Sequence, residues 1–335
     1  MTIIVTLLLF SLIVFIHELG HFLLAKKNGV KIHEFAIGMG PKVYSIKKDV
    51  EYSIRLLPLG GFVSMEGEDR ESNDPNSFGN KGMLQRASVL FAGPFFNIIL
   101  AIILMIPVII YIGTPIPKFS EVLPNSPAQA AGIQVGDTIK SINGEEISSW
   151  EQLVSTVHKS NGKELDLVID REGKTKNVSL IPSKNEEGNY QIGIVPVKEK
   201  DFLGAIPKAF EMTWSMIVQM MIFLGQLITG TIPGGFENAV AGPVGIIGIV
   251  SDAAKTGIIQ LVYIGSVISL NLGVMNLLPI PALDGGRLLM IGIEAIRGGK
   301  KLDPNKEAML HTAGFMLLMA FMLFVTFKDV TRLFK

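Results

Sequence analysis

The sequence predicts a polytopic α-helical membrane protein with polar inserts between its spans. Of the 335 residues, 48% are hydrophobic and only 18% are charged, and long stretches carry no charge at all. The formal net charge is zero, so the chain lacks the basic surplus expected of a nucleic-acid-binding protein. It contains no cysteine, so any metal site must be built from His, Asp or Glu.

Four apolar segments are each long enough to cross a hydrocarbon core of about 30 Å. The first is expected to be retained, because it lacks the basic start and the Ala-x-Ala-like cleavage site of a signal peptide. The third is interrupted by Pro279 and Pro281, which stop helical hydrogen bonding. The predicted spans are 1–25, 88–113, 257–286 and 310–327.

Two polar inserts separate these spans. Segment 26–87 contains an alternating run with Gly60 and Gly61, which is typical of a β-hairpin. Segment 119–198 carries Ser-Pro-Ala, Ala-Gly-Ile, Gly-Asp and Ile-Asn-Gly at spacings that resemble a PDZ domain of α+β type. Such a domain binds an extended peptide or a peptide C-terminus, and the alternative is a spacer that binds nothing.

Basic residues indicate the orientation of the chain. Lysines and arginines cluster in segment 26–87 and between the third and fourth spans, which predicts that both loops are cytosolic. The hairpin insert is then cytosolic, and the PDZ-like insert is extracytoplasmic. Three basic residues after the fourth span count mildly against this orientation.

His17-Glu18-Leu19-Gly20-His21 is the motif that carries chemistry. Histidines four residues apart project from one face of a helix, so two imidazoles can bind one ion. Glu18 can then act as general base toward a water on that ion. A pair of hydrogen-bonded buried histidines is the structural alternative, but two His and one Glu inside a membrane helix are costly without a function.

A catalytic zinc with two histidine ligands needs one more protein ligand. Asp284 is the strongest candidate, because irregular backbone at membrane depth is tolerated only beside protein or a wet cavity. Spacing alone leaves open that Asp284 caps the helix that starts at Gly285. Weaker candidates lie in the polar loop, in the PDZ-like insert and at the start of the fourth span: His33, His158 and His311.

Three features together resemble the site-2 protease family of intramembrane metalloproteases, in the bacterial branch called regulator of sigma-E protease. They are His17-Glu-Leu-Gly-His21, the PDZ-like insert, and Asn276-x-x-Pro-x-Pro-x-Leu-Asp284-Gly285. The resemblance covers nearly the whole chain and implies four spans. It also implies that His17, His21 and Asp284 bind Zn²⁺ and that Glu18 is the catalytic base. The usual bacterial member carries two PDZ domains, whereas this chain carries one.

The resemblance implies regulated intramembrane proteolysis in the bacterial cytoplasmic (inner) membrane, with the active site toward the cytosol. The partners would be the lipid bilayer and single-span membrane proteins, such as trimmed anti-sigma factors or remnant signal peptides. The alternatives are a membrane zinc-binding or transport protein and a non-catalytic PDZ scaffold. A transporter needs ionisable residues in several spans, and a dead scaffold would lack Glu18.

Further candidates for substrate binding flank this predicted site. Asn97 in the second span and Asn271 and Asn276 in the third could hydrogen-bond an unwound substrate, or could tie helices together. The family resemblance implies that the hairpin with Gly60 and Gly61 supplies an edge strand near the active site, which could pair with an extended substrate.

Segment 212–232 also has no charge, so hydropathy alone would make it a fifth span. If it crossed, the third span would run outward and Asp284 would emerge on the side opposite to His21. Because both residues are expected at one metal site, 203–256 is predicted to hold an interfacial helix on the outer membrane face. Gly242-Pro-Val-Gly245 is expected to form a loop at the membrane surface.

Overall fold

The structure is a computed structural model, and it describes residues 2–68, 72–185, 188–232, 242–301 and 303–333. The chain divides into two compact units, one formed by Met1–Val108 with Pro207–Lys335 and the other by Ile109–Ile206. The described α-helices are α1 (Thr2–Lys27), α2 (Met83–Ile112), α3 (Pro127–Ala130), α4 (Trp150–Lys159), α5 (Phe202–Thr229), α6 (Pro243–Thr256), α7 (Ile258–Asn276), α8 (Asp284–Ile296) and α9 (Pro304–Leu333). The described strands are β1 (Ile32–Lys47), β2 (Glu51–Met65), β3 (Thr114–Val122), β4 (Thr138–Ile142), β5 (Glu145–Glu146), β6 (Leu165–Arg171), β7 (Lys174–Leu180), β8 (Ser183–Lys184), β9 (Tyr190–Gln191) and β10 (Ile194–Glu199).

Five of the described helices are long and apolar enough to cross a membrane, where the sequence predicted four spans. The additional candidate is α5, which contains the segment predicted to lie on the membrane surface. The prediction placed the apolar run at 212–232, but the helix already begins at Phe202 and is 28 residues long, or about 42 Å. By length and composition, the described helices therefore give five candidate spans where four were predicted, because α5 is long and apolar enough although it carries Lys208 and Glu211 after its first turn.

Small residues let α2 approach its neighbours closely. A Cβ on Gly20 of α1 would stand 2.5 Å from the carbonyl oxygen of Ala92, and one on Gly273 of α7 would stand 2.7 Å from that of Pro94. The Ser266 hydroxyl donates to the Ala101 carbonyl at 2.8 Å, so polar side chains reinforce the same interface. Glycine and serine between apolar helices are typical of packing inside a membrane.

A tight turn joins α7 to α8 around the two prolines. Ala282 has a φ of 79°, which is uncommon for a residue with a side chain, and its N–H donates to His311 Nδ1 at 3.1 Å. A Cβ on Gly285 would stand 2.3 Å from the carbonyl oxygens of Leu277 and Leu278, so the turn folds directly against the start of α8. This turn fixes the position of Asp284, the first residue of α8.

The hairpin of β1 and β2 packs on the C-terminal half of α1. Phe22 of α1 lies 5.1 Å from Phe35 of β1, measured between ring centroids, and both belong to one buried cluster. The hairpin is bent, so that residues 34–37 pair with 51–54 on one side and with 61–64 on the other. Within the described chain, segment 61–64 therefore has a strand partner on one side only.

The second unit is an antiparallel α+β domain. Its main sheet has the strand order β10-β3-β4-β6-β7, with β5 paired to β4, and α4 packs its buried face on the same core. Phe119, Ile142 and Ile169 are completely buried in that core. Asp137 is also completely buried, and it receives two hydrogen bonds of 2.7 Å from the Arg171 guanidinium. This small sheet domain is the PDZ-like insert of the sequence.

Candidate active site

α1 and the start of α8 bring three possible metal ligands together. His17 Nε2 lies 3.2 Å from His21 Nε2, and Asp284 Oδ2 lies 3.2 Å from His17 Nε2 and 3.4 Å from His21 Nε2. Of the side chains that the structure describes, these three form the one such group whose ligand atoms all lie within 4.8 Å of one another. Helical spacing positions the two histidines, and the α7–α8 turn supplies the carboxylate.

The spacing of these atoms fits a zinc ion. Ligands of a tetrahedral zinc at about 2.0–2.1 Å lie about 3.3 Å apart, which matches all three measured separations. Asp284 Oδ2 is buried and has no conventional hydrogen-bond donor among the described residues, facing only the two imidazole nitrogens. Two imidazoles and one carboxylate are a frequent protein ligand set for a catalytic zinc, with the fourth position open.

Gly93 of α2 leaves the room that an ion needs. A Cβ at this position would stand 2.3 Å from His21 Nε2 and 2.9 Å from His17 Nε2. Any side chain would therefore enter the space on which the three ligand atoms converge. The sequence predicted a role for Asn97 in the second span but none for Gly93. A signal was available, because Gly93 and Asn97 are four residues apart and share a helix face.

The backbone of α2 also orients one ligand. His21 Nδ1 lies 2.9 Å from the carbonyl oxygen of Val89, so Nδ1 carries the proton and donates it. That tautomer leaves Nε2, the nitrogen that points at Asp284, with a free electron pair. A metal-binding histidine generally makes such a bond through its other ring nitrogen.

Glu18 faces the edge of the hairpin. The backbone N–H of Val63 in β2 lies near the Glu18 carboxylate. A Cβ on Gly61 would stand 3.3 Å from Glu18 Cγ and 2.9 Å from the carbonyl oxygen of Ala36. The half-paired segment 61–64 thus runs beside the predicted catalytic base.

A cavity of about 460 Å³ adjoins the metal cluster on the side of α9. It gives Asp284 contact with a volume large enough for water and a short peptide segment. Arg287, one turn after Asp284, belongs to its wall and pairs with Glu68. The cavity is lined by Ala282, Leu283, Asp284, Arg287, His311, Thr312 and Phe315.

The alternative ligands and the capping role of Asp284 do not fit the observed geometry. His33 pairs with Glu66 at 2.7 Å, His158 lies on α4 of the other unit, and His311 accepts from the α7–α8 turn. The N-cap residue of α8 is Leu283, and no side chain makes a capping hydrogen bond there.

The predicted substrate-binding amides occupy different environments. Asn97 is completely buried behind His17, and its contact with substrate stays a prediction. Asn271 is exposed on α7, and Asn276 is half-buried at its end. Gly60 has a φ of 77° and packs on Met39, while Gly61 lies beside Glu18.

The comparison with known protein families decides the class of this site. A family model described as Peptidase family M50 matches residues 5–321. The chain belongs to peptidase family M50. A family relative from Clostridium acetobutylicum is 42% identical over 332 residues, which cover 98% of this chain and 97% of that protein. The family resemblance seen in the sequence is thereby confirmed.

Two further proteins are similar to all or part of this chain. Regulator of sigma-W protease RasP of Bacillus subtilis is 34% identical over 421 residues, covering 99% of each chain, so its alignment is longer than this whole chain. The crystal structure of the PDZ domain of an SdrC-like protein (Lmo2051) from Listeria monocytogenes matches 26% of this chain and 90% of that one, at 21% identity and a TM-score of 0.22.

Family membership makes this chain a multi-pass membrane zinc metalloprotease with a PDZ-like domain. The predicted enzyme class and the predicted zinc cofactor are confirmed. The zinc-transport protein and the non-catalytic scaffold are set aside as descriptions of the whole molecule, because the match covers the helices and the domain together.

Proposed function

We propose that His17, His21 and Asp284 hold the zinc ion and that Glu18 is the catalytic base of an endopeptidase that cuts peptide bonds within the membrane. The observation that carries this proposal is the convergence of three ligand atoms at the spacing of zinc ligands. They lie beside Gly93, a position at which a side chain would not fit. When bound, zinc supplies Lewis-acid polarisation of the attacking water and of the scissile carbonyl.

Glu18 moves the proton in this mechanism. Its carboxylate takes a proton from the water as the water attacks the carbonyl, and then delivers it to the leaving amine nitrogen. The backbone N–H of Val63 lies near this carboxylate on the hairpin side. Both histidines are buried.

The substrate is proposed to bind as an extended strand. A transmembrane helix keeps its carbonyls in internal hydrogen bonds, so a single-span substrate must unwind before water can attack. Segment 61–64, which includes Gly61, has an open edge beside Glu18 and can replace the lost hydrogen bonds by strand pairing. Gly60 allows the bend before that strand, and Asn271 and Asn276 on α7 are proposed to contact the substrate backbone.

We propose that four helices cross the membrane, namely α1, α2, α7 and α9, and that α5 lies on the outer face. His21 lies in the C-terminal half of α1 and Asp284 follows the end of α7, so the two helices must run in the same direction to share one site. An even number of crossings must then separate α2 from α7. The basic loops favour a cytosolic active site and an extracytoplasmic PDZ-like domain.

The proposed physiological role is regulated intramembrane proteolysis in the bacterial cytoplasmic membrane. Its substrates would be single-span anti-sigma factors, remnant signal peptides, or both, in line with the name of the Bacillus subtilis relative, regulator of sigma-W protease RasP. The PDZ-like domain is proposed to bind a peptide C-terminus or an extended peptide of such a partner.

The deciding experiment replaces Glu18 with Gln in the full chain, reconstituted in lipid. The amide keeps the size of the side chain but cannot take a proton, so zinc content should match wild type while cleavage of a single-span model substrate falls at least about 100-fold. Metal analysis and a gel-based cleavage assay measure the two quantities on one preparation. Wild-type cleavage by E18Q would refute the assigned base.

A further inference from the structure

Asn97 lies directly behind the first histidine of the metal cluster. Its side chain is 0% exposed, and its Nδ2 is 3.2 Å from His17 Nδ1. Its other terminal atom, Oδ1, is buried with no hydrogen-bond partner among the described residues. We infer that Asn97 is a positioning residue whose amide oxygen accepts the Nδ1 proton of His17 and so fixes the tautomer that binds the metal.

The chemistry of the imidazole determines which end of the amide faces it. The inference rests on the proposed zinc ligands, because His17 points Nε2 at Asp284 and must then carry its proton on Nδ1. An Nδ1–H cannot accept a hydrogen bond from the amide Nδ2. The oxygen and nitrogen of an asparagine amide are assigned from their partners, and exchanging them places the acceptor 3.2 Å from Nδ1.

The exchange loses no existing hydrogen bond. Oδ1 now occupies a buried position with no hydrogen-bond partner among the described residues, so placing the amino group there loses no hydrogen bond that they make. The bond gained is between a ring N–H and a carbonyl-type oxygen, which is the usual outer contact of a metal-binding histidine.

Helix packing holds Asn97 in place for this task. The Ser269 hydroxyl of α7 donates to the Asn97 carbonyl at 2.8 Å, and a Cβ on Gly273 would stand 3.3 Å from Asn97 Cβ. The side chain therefore has little space in which to turn away from His17. Since the backbone carbonyl of Val89 performs the same service for His21, α2 supplies one acceptor for each histidine.

The spacing along α2 makes the arrangement coherent. Val89, Gly93 and Asn97 are four residues apart in turn, so they share one helix face. That face presents the Val89 carbonyl to His21, the missing side chain of Gly93 to the space between the ligands, and the Asn97 amide to His17. The gap admits the ion, and the flanking acceptors set both imidazoles with Nε2 toward it.

The test measures zinc affinity of the full chain in lipid nanodiscs by competition with a chelator. Asn97→Leu removes the acceptor at similar size and should weaken zinc binding about 10- to 100-fold. Asn97→Asp keeps an acceptor oxygen toward Nδ1 and should stay within about 3-fold of wild type, a rescue that a purely packing role would not predict. Ser266→Ala is the matched control. It removes the hydrogen bond from α7 to the Ala101 carbonyl, one turn after Asn97 on α2, and should leave the zinc affinity unchanged.

Two results would overturn the inference. One is wild-type zinc affinity in Asn97→Leu, and the other is equal loss in the Leu and Asp variants. His17→Ala separates this outcome from failure of the proposed function. If His17→Ala loses zinc while Asn97→Leu keeps it, only the positioning role fails, whereas zinc retained by His17→Ala refutes the proposed ligand set.

A second measurement does not depend on the variants folding. In zinc-loaded wild-type protein with ¹⁵N-labelled histidine, nitrogen chemical shifts report which ring nitrogen carries the proton. We expect His17 to be protonated at Nδ1 and bound to zinc through Nε2. Zinc bound through Nδ1 would exclude Asn97 as the acceptor.

Discussion

At the scale of single residues, the missing side chain of Gly93 matters as much as the ligands do. Zinc bonds of about 2.0–2.1 Å leave no space for a carbon atom among three converging ligands. A Cβ at Gly93 would lie 2.3 Å from His21 Nε2, and the His21 ring is held from behind by its hydrogen bond to the Val89 carbonyl of α2.

Gly93→Ala should therefore abolish zinc binding while the chain still folds, because alanine is a better helix former than glycine. Zinc per protein, measured after purification without chelator, should fall below about one tenth of wild type, a loss of roughly 10-fold or more in affinity. Gly292→Ala is the matched control, since no atom of the described residues lies within 4 Å of a Cβ at that helical position. Full zinc in Gly93→Ala would contradict the described cluster.

The site residues divide according to how local their signal is. His17, Glu18 and His21 follow from a spacing of four residues on one helix, which sequence shows directly. Asp284 lies more than 260 positions away from the histidines. The prolines before it and the family resemblance made it the preferred third ligand, but the sequence could not show where it lies in space. The contact of Asn97 with His17 spans 80 residues and depends on how α1 crosses α2, so a sequence can only offer the amide as a candidate.

At the scale of elements, the α7–α8 turn is a rigid support for Asp284. Two prolines end α7, and the two glycines after Asp284 allow α8 to start directly beneath the carbonyl groups of the turn. The aspartate is thus placed by backbone contacts on both sides rather than by side-chain packing alone.

Gly285→Ala should push α8 away from the turn and move Asp284 out of reach of the histidines. A Cβ there would stand 2.3 Å from two backbone carbonyl oxygens, which cannot rotate away as a side chain could. We expect zinc affinity to drop about 10-fold or more, with helix content by circular dichroism unchanged. Wild-type affinity would show that the turn is more compliant than its contacts indicate.

The buried Asp137–Arg171 pair is the corresponding support in the PDZ-like unit. Burial by itself raises the pKa of the Asp137 carboxyl, but hydrogen bonds from the Arg171 guanidinium and from the Gln134 N–H outweigh it and lower that pKa below its usual value. The stability that this carboxylate contributes is therefore present above about pH 4 and is lost as pH falls through the folded-state pKa.

Arg171→Leu should lower the stability of this unit at pH 7 by about 3 kcal/mol, because it leaves a buried carboxylate without its partner. It should also remove the loss of stability below about pH 4 that we expect of the wild type. Trp150 packs against the core of the unit, so its fluorescence in a Trp214→Phe background follows unfolding. Lys140→Ala breaks an exposed pair and should change stability by no more than about 0.5 kcal/mol.

Element prediction succeeded where the pattern was local and failed where packing decided. The alternating run with Gly60 and Gly61 predicted a β-hairpin in segment 26–87, and its first strand begins at Ile32, where its first residues pack on α1. The apolar segment in α5 was bounded at residue 212 by its lack of charge, but the helix begins at Phe202 and continues through Lys208 and Glu211.

At the scale of the whole molecule, the metal cluster constrains how the chain threads the membrane. α1 and α7 must run in the same direction, so that the ligands near their C-terminal ends lie at one depth. A single crossing by α5 between the PDZ-like unit and α7 would reverse the direction of α7. α6 has 14 residues, or about 21 Å of helix, which is short of a hydrocarbon core of about 30 Å. A surface position for α5 is the arrangement that needs no further crossing.

The absence of cysteine makes this topology directly testable, because every introduced thiol is the only one. Thr231→Cys lies just after α5 and is exposed, so with α5 on the outer face it should react with a membrane-impermeant maleimide in intact cells. Lys174→Cys in β7 should react in the same way. Lys300→Cys, between α8 and α9, should react only after permeabilisation.

These three positions separate the possible threadings. If Thr231→Cys requires permeabilisation while Lys174→Cys does not, α5 crosses the membrane, and a second crossing must return the chain before α7 to keep Asp284 beside His21. If Lys300→Cys is labelled in intact cells and Lys174→Cys is not, the orientation is inverted, although the metal cluster is unaffected. Labelling of Thr231→Cys and Lys174→Cys alone in intact cells supports four crossings, because it leaves α7 running inward with its ligand at the depth of His21.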